Sequence, residues 1–153
     1  MSLKGLAHAY DDFTTIDTAK RMALGTYVFV GDKTYVYVQG VASGVAGKHV
    51  TFTSAGVTTL TVADANGRVG ILMADLDATT DYGFIQVFGI NAAADVTALT
   101  AGAAAYLTAT AGRLDETDVA GDQVHGYMGI VTGASNVATV FLNYPYVIDA
   151  ATD

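Results

Sequence analysis

The chain has 153 residues, of which 52% are hydrophobic and only 14% are charged, and 15 acidic against 7 basic residues give a formal net charge of −8. A negative field of this sign repels phosphate and argues against nucleic-acid binding, while the absence of cysteine excludes disulfides, thiolate chemistry and cysteine-ligated metals. No run reaches the about 18 apolar residues of a membrane-spanning helix, and the first residues lack the apolar run of a secretory signal, so we expect no membrane contact.

The low charge also bears on the surface of the folded chain. A typical globular protein has about 25% charged residues, whereas this chain has 14%. Most surface positions must then be filled by Thr, Ala, Tyr and Gly. We therefore expect part of the exterior to be covered by other subunits.

The first 25 residues differ from the rest of the chain, because they lack the alternation of a strand and include the adjacent basic residues Lys20 and Arg21. The segment TTIDTAKRMALG fits either a short capped helix or an extended arm. We predict an arm or short helix over residues 1–25, a β domain over 26–147 and a tail over 148–153.

Strand-like alternation begins after this segment. TYVFV and TYVYVQ flank a Gly-Asp pair and predict a hairpin with Tyr35 and Tyr37 on one face and two valines on the other. HVTFT and VTTLTV predict two further strands. The Asn-Gly pair in DANG, Asn66 and Gly67, predicts a tight hairpin turn before the strand RVGILMA.

The next strand, YGFIQVFG, is apolar on both faces. Tyr82, Phe84 and Phe88 alternate with Ile85 and Val87. A half-buried strand needs only one apolar face, so we expect one face to fill the core and the other to be covered by a second sheet or another chain. The alternative is a central strand of a sandwich that lies under a long loop and is apolar on both sides without any partner.

The last third contains two TAG turns, an acidic loop and a final hairpin. VHGYMGIVT and NVATVFLNY form the arms of this hairpin, and Pro145 is expected to end it. Turn signals recur roughly every ten residues, and Glu116 is the only glutamate, which indicates little helix. The predicted fold is all-β: a compact antiparallel β-sandwich or small barrel of about nine or ten short strands, with an N-terminal arm.

Catalytic motifs are missing from the sequence. It has no nucleophile elbow, no phosphate-binding glycine loop and no H-E-x-x-H. His8, His49 and His125 are far apart along the chain, and Glu116 lies in a solvated acidic loop. We therefore expect neither enzymatic activity nor a cofactor.

Two groups of charged residues have both a local structural interpretation and a functional one. Asp75, Asp77 and Asp81 place three carboxylates within seven residues, but without the spacing of a known calcium loop, so solvated turns are the preferred interpretation and a cation site stays open. Arg68 and Arg113 follow glycines in turns, where a local bond is preferred over an ion pair between subunits.

Several stretches resemble a known family. YGFIQVFG, TAGAAAYLTATAGRL, HGYMGIVTG and VFLNYP resemble the small capsid decoration, or cement, proteins of tailed bacteriophages, with glycine-bounded strands, a Tyr-Leu segment followed by Gly-Arg-Leu, and a terminal Leu-x-x-Pro. The resemblance covers about 110 residues, from Gly40 to Pro145. It implies a non-enzymatic virion protein on the outer capsid surface that bridges major capsid proteins and associates with copies of itself, with a trimer favoured.

Candidate contact residues combine aromatic side chains with the basic pair of the arm, because tyrosine and phenylalanine are enriched in interfaces. They are Phe13, Lys20, Arg21, Tyr35, Tyr37, Tyr82, Phe84 and Phe88. We expect the first three to lie on a neighbouring subunit. Two alternatives stay open: another phage structural subunit, such as a head fibre base, tail or adaptor protein, and a carbohydrate-binding β-sandwich module, which the lack of Trp disfavours.

Overall fold

A computed structural model describes residues 12–148. Over this range the chain forms ten strands and no helix, and every pairing between these strands is antiparallel. The strands are β1 (Tyr27–Val30), β2 (Lys33–Gln39), β3 (His49–Phe52), β4 (Thr58–Leu60), β5 (Gly67–Leu72), β6 (Tyr82–Asp95), β7 (Ala105–Leu107), β8 (Leu114–Asp115), β9 (Gln123–Ala134) and β10 (Val137–Val147). The all-β, antiparallel prediction with about ten strands is confirmed. His8 and nearly all of the predicted tail lie outside the described residues.

The strands form one continuous hydrogen-bonded path that is not closed into a barrel. Its order is β1-β2-β6-β5-β10-β9-β7-β8, and β3 pairs with both β4 and β5 beside this path. Of the two predicted arrangements, the structure therefore has the open, sandwich-like one. The long strands β6, β9 and β10 lie within this path and connect β1 and β2 at one end to β7 and β8 at the other.

Strand β6 changes partners along its length. Its first half pairs with β2 and β5, and its second half pairs with β10. Gly89 lies between the halves with a φ of 95°, and a Cβ there would come within 2.6 Å of the Asp32 carbonyl oxygen. The buried Gln86 amide stabilises this point, because its Nε2 donates to the carbonyl oxygens of Phe88 and Ile90, at 3.0 Å each.

The β1–β2 hairpin has the predicted turn and faces. Gly31 has a φ of 58°, the conformation that the first position of a type II′ turn requires. Tyr35 and Tyr37 lie in one apolar cluster, whereas Val36 and Val38 lie in another on the opposite face. The period-2 interpretation of this segment is confirmed.

The prediction of a tight hairpin at Asn66 and Gly67 is wrong. Strands β4 and β5 do not pair with each other, because each pairs with a different edge of β3. The connection spans residues 61–66, and positive φ angles fall at Asp64 and Gly67. An Asn-Gly pair favours a tight turn locally, but β3 satisfies the backbone groups of both strands and so decides the topology.

Pro145 does not end β10, which continues to Val147. Tyr144 has a φ of 47°, and the pairing with β9 shifts register between Leu142 and Tyr146. A proline lacks the N–H that a regular ladder needs, and an irregularity of this kind is where a strand tolerates one.

Residues 12–25, called the arm below, contain no helix. The arm is irregular, with turns or bends at residues 13–14, 18–19, 21–22 and 24–25, and at Asp17 it forms an isolated bridge to Tyr82 through two backbone hydrogen bonds of 2.8 Å. Of the two arrangements predicted for this segment, the short helix is absent from its described part. The arm lies on the domain that follows it in the same chain.

The buried apolar side chains form three clusters. One lies among strands β5 to β10 with the loops beside them, and a second lies among β2, β3, β5 and β6. The third, called the aromatic cluster below, consists of Tyr35, Tyr37 and Phe84, with Phe13, Met22 and Leu24 of the arm packed against it. The first two clusters are made by strands, whereas the third needs the arm.

Candidate interaction surface

The aromatic cluster contains three of the residues predicted to contact another chain. Tyr37 and Phe84 are 0% exposed, and Tyr35 is also buried. The Phe13 ring stacks on the Tyr35 ring with a centroid distance of 3.9 Å and meets the Phe84 ring edge-on at 4.9 Å. The second apolar face of the first half of β6 is therefore covered by the arm of the same chain, and Tyr35, Tyr37 and Phe84 are not available to a partner.

Polar contacts hold the arm in this position. The Tyr37 hydroxyl donates to Asp17 Oδ2 at 2.8 Å and accepts from the Arg21 backbone N–H at 3.2 Å. Arg21 Nε donates to the same Asp17 oxygen at 2.6 Å, and this bond raises the pKa of Arg21. Burial raises the pKa of Tyr37, so its hydroxyl stays protonated and remains a donor.

The basic pair of the arm also contacts its own chain. Lys20 Nζ lies 5.6 Å from the centroid of the Tyr82 ring, within the range of a cation–π contact. Together with the Arg21–Asp17 ion pair and the Phe13 stack, this places all three residues in contact with their own chain, and their predicted contact with a neighbouring subunit stays a prediction. These residues fasten the arm because the apolar face they cover belongs to the same domain.

Phe88 has a different environment from Phe84. Its side chain is half-buried and its ring contacts the rings of Phe141 at 5.7 Å and Tyr144 at 5.3 Å. Tyr144 is exposed. Among the predicted aromatic candidates on the strands, Phe88 is thus part of an aromatic group that reaches the surface.

This group continues into a row that crosses three strands. Ile90 of β6 lies opposite Phe141 of β10, which lies opposite Met128 of β9. Ile90 and Met128 are each 46% exposed. The other face of the same strands, with Asn91, Val140, Leu142 and Tyr127, is buried in the core.

We call this surface the open face, and none of its side chains is charged. Its members are Phe88, Ile90, Met128, Val131, Phe141 and Tyr144. Sequence reasoning found only Phe88 of these six. The signal was present in MGIV and VFLNY, which have apolar residues at consecutive positions and therefore on both faces of a strand.

A buried histidine lies on the opposite side of β9. His49 is 0% exposed, its Nδ1 lies 2.9 Å from the Gly112 carbonyl oxygen, and its Nε2 lies 2.7 Å from the Tyr127 hydroxyl. Because a carbonyl oxygen only accepts, Nδ1 carries the hydrogen and the Tyr127 hydroxyl donates to Nε2. Burial lowers the pKa of His49 to about 4, so the ring is neutral at pH 7.

The other candidate sites have local explanations. Asp75 Oδ1 accepts the backbone N–H of Ala46 at 2.9 Å, and residues 12–148 hold no group of three His, Asp or Glu side chains placed to bind a metal ion. Arg113 Nε donates to Asp95 at 2.7 Å in the same chain. Arg68 Nη1 donates to the Tyr27 hydroxyl at 2.9 Å.

Surface depressions among these strands are small. The one lined by Tyr27, Phe52, Arg68 and Tyr144 has a volume of about 20 Å³, and the one beside Thr51 and Asn66 has a volume of about 90 Å³. Ligand pockets are usually about 300–1,000 Å³. Neither depression reaches this size, and we take the open face as the candidate for recognition.

Comparison of the chain with protein-family models, curated protein sequences and solved structures gives no match. The described residues contain no helix that is both long and apolar enough to cross a bilayer. Interpretation of the open face therefore depends on its own chemistry.

Proposed function

We propose that this chain is a structural subunit of a bacteriophage virion: a capsid decoration, or cement, protein that binds the outer capsid surface and stabilises contacts between major capsid proteins. The observation that supports it best is the open face, an uncharged apolar surface that crosses three strands. Such a surface gains free energy when water is removed from it, at about 25 cal/mol per Å² of apolar area.

Capsid stabilisation by such a protein requires a binding surface and no chemical reaction. A protein that binds only the assembled shell stabilises that shell by mass action, because opening the shell must also release the bound subunits. A net charge of −8 suits the outside of a particle, away from packaged DNA. Copies of the chain are proposed to associate with one another there, with a trimer as the favoured assembly.

Capsids that lack the protein provide the test. We expect the purified chain to bind them in saturable amounts, visible by electron microscopy as added density on the outer surface, and to raise the temperature at which they open. Ile90→Lys and Met128→Lys place a charge on the open face and should abolish both effects. Val57→Lys is the matched control, because Val57 is 47% exposed and lies outside the open face.

Two results would overturn the proposal. One is a chain that never binds a capsid lattice, and the other is equal binding by the Ile90→Lys and Val57→Lys variants. Rings or tubes formed by the free protein would favour a tail or adaptor subunit instead.

A further inference from the structure

Strand β1 forms one end of the sheet and, within residues 12–148, pairs only with β2. Val30 and Lys33 flank the two-residue turn, and the Thr26 carbonyl accepts the Tyr37 N–H, so the even-numbered residues direct their backbone groups toward β2. The N–H and C=O groups of Tyr27 and Phe29 therefore point away from the sheet. No described residue forms a backbone hydrogen bond with them.

The side chains of β1 do not protect this edge. Natural edge strands are usually blunted by charge, proline, a bulge or shortness. Two other end strands follow that rule: β4 has three residues, and β8 has two and ends on Asp115. Strand β1 has four uncharged residues in unbroken register with β2, and Phe29 is 71% exposed.

We propose that β1 is a homotypic pairing edge, on which the β1 strand of a second copy of this chain adds in antiparallel orientation. A two-fold axis through Val28 makes the strand its own complement. Tyr27 of each copy then pairs with Phe29 of the other, so all four outward backbone groups of each strand are satisfied. The Tyr27 and Phe29 rings, stacked at 6.4 Å within one copy, lie opposite the same two rings of the second copy.

The exposed area of β1 limits the strength of this contact. Tyr27, Phe29 and Val30 together expose on the order of 300 Å² of side chain, given the size of aromatic residues. A stable interface usually buries about 800 Å² per partner. The pairing is therefore weak, and we expect free copies to associate through it at high protein concentration. A second copy is the partner because it supplies an unpaired, uncharged strand of the same length.

A single cysteine tests the register, because the chain contains none. Val28→Cys places the thiol on the two-fold axis, where the two Cα atoms lie about 4.5 Å apart at a non-hydrogen-bonded position, within disulfide range. Val30→Cys is the matched control on the same strand face, and its two copies are about 13 Å apart in this register. Under mild oxidation we expect Val28→Cys to form disulfide-linked dimers at least about tenfold faster than Val30→Cys.

Sedimentation velocity over a range of concentrations gives the second measurement. Phe29→Pro removes an outward N–H and no bond to β2, so it should lower the association constant at least about tenfold while leaving the fold intact. Val57→Lys should leave association unchanged. Equal oxidation rates for the two cysteine variants, or association that survives Phe29→Pro, would overturn the proposal. Both measurements use the free protein, so this proposal stands or falls independently of capsid binding.

Discussion

The two halves of β6 differ in what covers their apolar side chains. In the first half, Ile85 faces a strand-made core and Phe84 lies under the arm, so both faces are buried. In the second half, Asn91 is buried whereas Ile90 is 46% exposed. The arm therefore accounts for the difference, since its described residues pack on the first half, where Asp17 bridges Tyr82.

An apolar strand face can be buried by the same chain or by another molecule, and the two halves of β6 illustrate these two cases. Aromatic rings under the arm contribute to folding of the single chain, because their burial needs nothing else. Aromatic and aliphatic side chains on the open face gain the same free energy only when another molecule covers them. A second apolar face is thus informative about partners only after the chain's own segments have been placed.

The largest change in the free energy of unfolding is expected at Phe84. Phe84→Ala removes a fully buried ring and should lower the free energy of unfolding by about 4 kcal/mol. Phe88→Ala, at the half-buried position in the same strand, should cost less than half as much. Urea denaturation followed by circular dichroism measures both. Equal losses would show that Phe84 and Phe88 are not distinguished by burial.

We expect acid to destabilise the folded chain through the buried His49, which contacts β9 at Tyr127. The folded pKa of His49 is about 4, below its unfolded value of 6.5, so the unfolded chain binds the extra proton between these values. Stability is therefore complete above pH 6.5 and falls as the pH drops toward 4, by about 3 kcal/mol in all. Urea denaturation from pH 7.5 to 4 measures this loss. A His49→Gln variant should lose this part of the pH dependence.

His125→Gln provides the matched control for the acid prediction. His125 is exposed and stacks on Tyr146, with ring centroids 5.2 Å apart. Its replacement should leave the fall in stability below pH 6.5 in place. The acid prediction fails if His125→Gln flattens the profile as much as His49→Gln does.

The sequence predicts the strands and their faces because alternation is a local property. Tyr35 and Tyr37 separate from Val36 as the period-2 pattern requires. What covers a face is not local: nothing in the residues around Phe13 indicates that its ring stacks on Tyr35. The same limit explains Asn66 and Gly67, where a turn-forming pair lies between strands that the fold separates.

The position of the arm shows the same limit. The sequence suggests a neighbouring subunit as the contact of Phe13, Lys20 and Arg21, because they join basic charge to an apolar group outside the strand-rich part of the chain. An arm of this length reaches its own domain first, without the entropy loss of association between molecules. The open face escaped prediction for a related reason, since residues such as Ile90 and Phe141 meet only through pairing of distant strands.

A smaller loss of stability is expected when the aromatic contact between the arm and β2 is removed. Phe13→Ala loses the stack on Tyr35 and should lower the free energy of unfolding by about 2 kcal/mol. Part of the aromatic face of the first half of β6 is then uncovered. Limited proteolysis with trypsin should cleave after Lys20 or Arg21 faster than in the parent chain. Ile16→Ala, at a 45% exposed arm position, should leave cleavage unchanged.

The smallest effect is expected on the open face. Met128→Thr replaces a 46% exposed side chain by one that suits a strand surface, so the free energy of unfolding of the free protein should change by less than about 0.5 kcal/mol. A near-zero change in stability combined with lost capsid binding would separate recognition from folding at this position. A loss comparable to that of Phe84→Ala would instead mean that Met128 is covered within the single chain, and the distinction between the two halves of β6 would fail.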